Sequence, residues 1–332
     1  MAGRRVLITG LGTYWGGRLA EALEGFESIE TIIGVDSRDP TRELERTEFV
    51  RVGTQHSLLQ RIVRAAEIDT VVDARLMVSS VNAPPRVTHE NNVIGTMNIL
   101  AACAGPDSPV RKFVFKSSAH YYGAHQDDPA FFAEEMGRPH PPRTALERDL
   151  VEADDAVWEF ATKSPDIEVT VLRCANVLGP DVDTAFTRMF SLPAVPMVLG
   201  FDPRIQFVHE DDVVHALEHA TVHSAPGAFN LAADGVLSLS ECVGLLGKLP
   251  LPILPPWGTG LVTAPLRRLG LKLPEEMWGL LRFGEHLRLS PVLGGVEQAY
   301  TYEREVEEFL RWSPHVRREQ TGAEADREPL GI

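Results

Sequence analysis

Apolar positions in the first 180 residues fall into two alternating textures. Short continuous runs recur: RVLITG from Arg5, TIIGVD ending at Asp36, EFVRV, DTVVDA, KFVFKSS and VTVLRCANV. Between them, apolar residues return at three- and four-residue intervals. Continuous apolar runs of this length read as strands buried on both faces, and the intervening periodicity reads as amphipathic helices. The first helix is predicted to start near Gly16 and to run to Leu23. Strand alternating with helix predicts a parallel sheet covered on both faces. This is the doubly wound α/β class, whose ligands bind beyond the carboxyl ends of the strands.

The texture changes after Pro180. Pro193, Pro196 and Pro203, then Pro250, Pro252, Pro255 and Pro256, interrupt the chain. The stretch from Leu249 to Pro265 is too rich in proline for a regular helix. PEEMWGLLRFGEHLR, from Pro274, returns to helical spacing with proline at a first-turn position. That amphipathic segment is expected to cap a substrate cleft rather than rest on a membrane or partner. The tail after Pro314 is polar and charged, and is expected to be disordered.

Composition narrows the function. A chain of 332 residues that is 44% hydrophobic has material for one large α/β domain and a smaller region. The net charge of -15 argues against nucleic-acid binding and against docking on anionic lipid. The three cysteines, Cys103, Cys174 and Cys242, show neither metal-ligand nor redox spacing. No metal site is expected. MAGRRVLITG runs straight into the first strand and shows no secretory leader. No apolar run approaches the roughly 18 residues of a membrane span. A cytoplasmic location is the expectation.

Gly10, Gly12 and Gly16 lie between the first strand and the first helix. Glycine there permits a tight turn and close approach of the backbone to a pyrophosphate at the helix N-terminus. Asp36 ends the second strand, where a carboxylate accepts hydrogen bonds from ribose hydroxyls and repels a 2′-phosphate. The cofactor is therefore read as NAD or NADP, with NAD favoured by Asp36. Arg38, two residues on, keeps NADP open.

Further segments carry a resemblance. RKFVFKSSAHYYG is a strand ending in Ser117, Ser118 and a Tyr-Gly pair. NNVIGTMNIL from Asn91, LRCANVLGP from Leu172, FVHEDDVVHAL from Phe207 and FLRWSP from Phe309 follow in order. Together with VLITGLGTYWGG these resemble the extended short-chain dehydrogenase/reductase (SDR) superfamily, the NAD-dependent epimerase/dehydratase family. They are most similar to an atypical actinobacterial, UDP-glucose 4-epimerase-like branch. The resemblance implies a Rossmann-type NAD(P)-binding domain over 1-179 and 207-236, a substrate-binding region over 180-206 and 237-314, and a tail over 315-332. It places Gly10, Gly12, Thr13, Gly16, Asp36, Arg38, Asp73, Ala74 and Asn92 at the cofactor. It places Arg75, Asn176, Arg204 and Gln206 at a small-molecule substrate, a ketone or a nucleotide-sugar. Asn92 and Asn176 are read as holding backbone and substrate loops together. A homodimer is implied in the same way. The chain departs from the pattern at Thr13, where the family has glycine and a side chain is expected to crowd the phosphates or the helix start. Gly53 replaces the family's adenine-binding aspartate.

The largest departure concerns the chemistry. The family pairs its serine with Tyr-x-x-x-Lys, yet none of the five tyrosines here has lysine four residues later. Counting back from Gly123 assigns Ser118 as the catalytic serine. Aligning the helix TALERDLVEADDAVWEF puts Leu146 and Leu150 at the tyrosine and lysine positions, on one helix face. Leucine transfers no proton, and general acid–base catalysis contributes roughly 10²–10⁴-fold. His120 is the first substitute considered, because on an extended segment it faces the same way as Ser118. Tyr121, Tyr122 and the charged pair Asp73 and Arg75 are others, and an acidic substrate supplying its own proton is a further route. Two readings stay open: an oxidoreductase or epimerase with an altered catalytic set, and a catalytically degenerate dinucleotide-binding or scaffold protein.

Overall fold

The apolar runs become the strands of one sheet because each is flanked by helices that need a face to bury against. The computed structural model describes residues 3–53, 55–80, 83–105, 107–254, 276–284 and 287. The first half of the chain reads β1 (Arg4–Thr9), α1 (Tyr14–Leu23), β2 (Ile29–Asp36), β3 (Thr47–Arg51), α2 (His56–Ala65) and β4 (Thr70–Asp73). It continues through α3 (Pro85–His89), a π-helical turn (Glu90–Ile94), α4 (Gly95–Cys103), β5 (Lys112–Ser118), a 3₁₀ turn (Ala119–Tyr121) and α5 (Ala145–Lys163). Next come β6 (Glu168–Cys174), β7 (Asn176–Leu178), α6 (Ala185–Phe190), β8 (Ala194–Val198), β9 (Arg204–Ile205), β10 (Phe207–His209) and α7 (Glu210–Val222). The remainder is β11 (Gly227–Leu231), β12 (Leu237–Ser238), α8 (Leu239–Leu245), β13 (Leu249–Ile253) and α9 (Met277–Phe283).

Seven strands form one parallel sheet in the order β11-β6-β5-β4-β1-β2-β3. The chain runs from β1 outward to β2 and β3, then returns to lay β4 on the other side of β1. Connections from β1 and β4 therefore leave in opposite directions, which opens a crevice beyond their carboxyl ends. Helices α1 and α7 cover one face through Leu19, Leu23, Val213 and Leu217. Helices α2, α4 and α5 cover the other through Leu59, Val63, Ile99, Leu150 and Val157. Side chains alternate along β5 as a strand requires: Val114 packs with the first cluster, Phe113 and Phe115 with the second.

The six strands read from sequence are present, but VTVLRCANV divides. It leaves the main sheet at Ala175, and Asn176–Leu178 pairs instead with β10. The seventh strand, GAFNL, is a short run after a proline and is not singled out by the apolar pattern. Part of the Pro-rich stretch is extended: Leu249–Ile253 runs parallel to β8. A third core, built by Phe186, Phe190, Phe207, Cys242, Met277 and Leu281, joins α6, α8 and α9 beside the sheet. The FLRWSP segment, the proline-rich run past Leu254 and the tail lie outside the described residues. Among the described residues no helix is long and apolar enough to cross a membrane.

One buried ion pair ties the carboxyl end of β5 to its neighbours. Asp154 on α5 accepts from the Arg173 guanidinium on β6 at 2.7 Å and from Ser117 Oγ on β5 at 2.7 Å. Arg173 also donates to the Tyr122 hydroxyl at 2.9 Å, which donates to Asn230 Oδ1 on β11 at 2.9 Å. Asp154 and Arg173 are 0% and 3% exposed, so neither charge has water to fall back on. Asp154→Ala is expected to lower stability by about 3–5 kcal/mol, the penalty of stranding a buried charge. The double change Asp154→Leu with Arg173→Met is expected to cost much less, and urea unfolding of the two variants measures the difference.

Candidate active site

The crevice begins at the glycine loop. Gly10 has φ +84, and a Cβ there would lie 2.5 Å from Arg75 Cγ. At Gly16 a Cβ would lie 2.1 Å from the Gly10 carbonyl oxygen, so helix α1 starts against the loop's own backbone. Thr13 does not crowd the helix start, contrary to the expectation from sequence. It is the N-cap: its Oγ1 accepts from the Gly16 N–H at 3.1 Å and donates to the Gly10 carbonyl at 2.7 Å. Asp36 reaches across from β2, and its carboxylate accepts from the Gly12 N–H at 3.0 Å and the Arg38 N–H at 3.0 Å. Thr13, Asp36 and Arg38 line a cavity of about 440 Å³ together with Ala74, Arg75, Asn91 and Gly53. The space at Gly53 is open, since a Cβ there would meet nothing within 4 Å. A glycine-rich turn at a helix N-terminus, with an acid at the end of the second strand, fits the adenosine and pyrophosphate portion of a dinucleotide.

Several side chains assigned to ligands from sequence face inward instead. Asp73 is 1% exposed and is bound by Thr9 Oγ1 at 2.9 Å and by Arg75 Nη2 at 2.8 Å. Arg75 holds that pair and the Asn91 carbonyl at 3.1 Å through its Nη atoms. It lines the cavity, and its stem packs where Gly10 has no side chain. Asn92 clamps the loop after β4, accepting from the Met77 N–H and donating to the Met77 carbonyl, each at 2.8 Å. Its amide is consumed there, as its loop-holding reading anticipated and its cofactor reading did not. Gln206 donates to the Ala233 carbonyl at 3.0 Å and accepts from the Leu287 N–H at 2.8 Å, so it ties the third core to the first. Arg204 is exposed on β9 and does not line this cavity. A polar residue near a strand end looks the same in sequence whether it points into a cleft or away from it.

A second cavity, of about 270 Å³, shares Trp15 with the walls of the first. Ser118, His120 and Asn176 open onto it, so these three assigned residues do converge. Ser118 Oγ accepts from the His120 N–H at 3.3 Å, which starts the 3₁₀ turn and sets the direction of His120. His120 Nε2 lies 3.2 Å from Asn176 Oδ1, and Asn176 donates to the Gln206 carbonyl at 3.3 Å. Met277 and Leu280 of α9 form part of the wall, and Glu276 just before it accepts from the N–H and hydroxyl of Ser80 at 2.9 Å each. The predicted amphipathic segment thus lies over the cleft where it is described.

The helix that would carry the family pair offers no proton donor at those two positions. Leu146 and Leu150 are 3% and 2% exposed, pack in the core beneath the sheet and line neither cavity. Tyr121 covers the Arg173 guanidinium at 4.0 Å, and Tyr122 stacks on Phe132 with its hydroxyl in the Asp154 network. Neither phenol reaches the second cavity. Tyr14 does, but it accepts from Arg18 at 2.8 Å, and burial, then the charge of Glu210, pushes its phenol well above its ordinary range. Sequence reasoning overlooked two lining residues, Trp15 and Lys116. The available signal for the second was a lysine inside the otherwise apolar run FVFKSS.

The order of strands, the glycine loop and the crevice at β1 and β4 define a Rossmann-type dinucleotide-binding fold. The NAD dependent epimerase/dehydratase family matches residues 6–232, and the chain belongs to it. An uncharacterised protein of Mycobacterium tuberculosis is 35% identical over 290 residues, which is 84% of this chain and 75% of that protein. Short-chain dehydrogenase/reductase family 42E member 1 of Xenopus laevis is 27% identical over 64% of this chain and 56% of that protein. Among solved structures, UDP-glucose 4-epimerase from Thermotoga maritima, with UDP-glucose, has a TM-score of 0.70 at 19% identity, covering 95% of this chain and 99% of that one. UDP-glucuronic acid 4-epimerase from Bacillus cereus, with UDP-glucuronic acid and NAD, has a TM-score of 0.71 at 16% identity, covering 94% and 99%.

Gly16→Ala is expected to abolish NADH binding and to lower the thermal midpoint, because the added carbon meets backbone that cannot yield. Gly53→Ala, on the wall of the same cavity, is expected to leave stability within about 0.5 kcal/mol. Thermal unfolding and fluorescence titration of the pair distinguish a steric requirement in the loop from a general intolerance of the cleft.

Proposed function

We propose that this protein is an atypical NAD(P)-dependent oxidoreductase or epimerase acting on a carbonyl or hydroxyl carbon of a small molecule, without the family's Tyr/Lys pair. The observation that carries this reading is that two cavities share Trp15 in their walls, one lined by Thr13 of the glycine loop and by Asp36, the other by Ser118, His120 and Asn176. A bound nicotinamide would supply or accept the hydride. Ser118 would hold the reacting oxygen, with His120 kept in place by Asn176. Asp36 at the end of β2 favours NAD over NADP, because a carboxylate repels a 2′-phosphate. A ketone or a nucleotide-sugar is the substrate class proposed. The ligands named with the structural neighbours support the second, and the missing tyrosine supports a substrate that supplies its own proton.

The buried leucines at 146 and 150 favour the alternative, a dinucleotide-binding protein that no longer performs the reaction. Fluorescence titration with NADH and NADPH, followed by hydride transfer with a panel of ketones and UDP-sugars, separates the two. NADH is expected to bind more tightly than NADPH, and at least one substrate is expected to turn over. Ser118→Ala is expected to lower that turnover by about 10²–10³-fold, as losing one hydrogen bond to a reacting oxygen does. Tight binding with no turnover across the panel favours the alternative, and failure to bind either dinucleotide rejects both.

A further inference from the structure

Lysine on a buried strand needs a reason. Lys112, Val114, Lys116 and Ser118 occupy alternate positions of β5, so their side chains leave one face of the sheet, the face under α1 and α7. The two lysines on that face have opposite surroundings. Lys112, at the amino end, has partners: its ammonium donates to the Ala220 carbonyl at 3.0 Å and pairs with Glu168 at 3.1 Å, although burial still pulls it below the ordinary lysine range. Lys116, at the carboxyl end, is 2% exposed and forms no hydrogen bond or ion pair with a described residue. Its Nζ rests over the Trp15 ring, 4.7 Å from the centroid, and the residue lines the same cavity as Ser118.

We propose that Lys116 is the proton-transfer group of this site, supplied from strand β5 in place of the pair absent from helix α5. The inference rests on the oxidoreductase reading above. In the oxidative direction, the neutral Nζ takes the proton of a substrate hydroxyl held by Ser118, while the hydride on the same carbon passes to an oxidised nicotinamide. A carbonyl, a reduced nicotinamide and an ammonium result; reduction runs the same transfers backwards.

The surroundings suit a base more than a fixed cation. Burial pushes the Lys116 ammonium below the ordinary lysine range, since a charge without a partner is disfavoured away from water. Cys174, next to it on β6, is held protonated by burial and adds no fixed negative charge. The other ionisable side chains around the cavity are Tyr14 on α1, bound by Arg18, His120 on the 3₁₀ turn, Asp181 and Asp183 before α6, and Glu276 before α9. The indole of Trp15 gives the protonated form a modest cation–π contact, so both charge states can be occupied. Val114, next to Lys116 on the same face, is fully buried in the apolar core.

The test reads Lys116 itself, before any substrate is known. The chain has five lysines, so their Nζ resonances can be followed by NMR in the ¹⁵N-lysine-labelled full-length protein and assigned with Lys116→Met. In the free protein Lys116 is expected to titrate clearly below the ordinary lysine value near 10.4. With saturating NAD⁺ it is expected to titrate about one pH unit lower than with saturating NADH, because only the oxidised ring carries positive charge. A lysine buried for packing alone, away from the ring, titrates alike in both complexes, and that result overturns the proposal. So does an ordinary titration in the free protein. Failure to bind NAD⁺ or NADH overturns the oxidoreductase reading itself, and is seen separately in the fluorescence titration.

Stability gives an independent check. A lysine whose folded pKa is depressed penalises the fold when it must be charged, so the penalty is absent above the unfolded pKa and grows as pH falls through it. Lys116→Met is therefore expected to raise the thermal midpoint at neutral pH, with the gain vanishing as pH approaches 11. Lys116→Gln controls for loss of a polar end. For any substrate found in the panel, both variants are expected to bind NADH as the parent does and to lose about 10²–10⁴-fold in hydride transfer. Unchanged hydride transfer in both also overturns the proposal.

Discussion

The carboxyl end of β5 is held by the buried pair Asp154 and Arg173, and much of the site hangs from that anchor. Asp154 fixes Ser117 from the α5 side, which turns the adjacent Ser118 to the opposite face. Arg173 continues the tie through Tyr122 to Asn230 on β11. The strand end is thus clamped from one face and opens onto a cavity on the other. A buried pair of this kind adds little net stability over apolar packing, but it penalises every arrangement that leaves one charge alone. It therefore specifies geometry more than it strengthens the fold.

That clamp also explains why losing the helix-borne pair is compatible with an intact fold. Leu146 and Leu150 extend an apolar stripe that already contains Val157 and Phe160. The helix docks on the sheet through that stripe and through Asp154, and neither contact needs a tyrosine or a lysine. The demands of the fold and of the chemistry are carried by different residues of α5.

The sequence discloses this molecule unevenly, for physical reasons. Strands buried on both faces leave continuous apolar runs, so six of the seven sheet strands are visible as runs such as TIIGVD and DTVVDA. GAFNL is short, and the two- to five-residue strands around the third core carry no period to detect. At the site, Gly10, Gly16 and Asp36 are legible because their roles follow from backbone geometry and position at a strand end. Asp73, Arg75, Asn92 and Gln206 are not, because a polar side chain's direction depends on partners distant in the chain. Thr13 was legible as a departure from the glycine pattern, but its use as a helix cap depends on where the helix begins. Lys116 hides for the converse reason: within an apolar strand a lone lysine reads as an interruption until the sheet face it occupies is known.

Trp15 belongs to the walls of both cavities, with an edge-on contact to Tyr14 and the lysine amine above its ring. An indole in that position emits light beside whatever fills either space, and its emission is sensitive to nearby charge and to ring systems that absorb in the near ultraviolet. The molecule thereby holds an optical reporter at its centre. A ligand in either cavity, or a change of charge at the amine, would act on the emission of a residue whose position is set by packing.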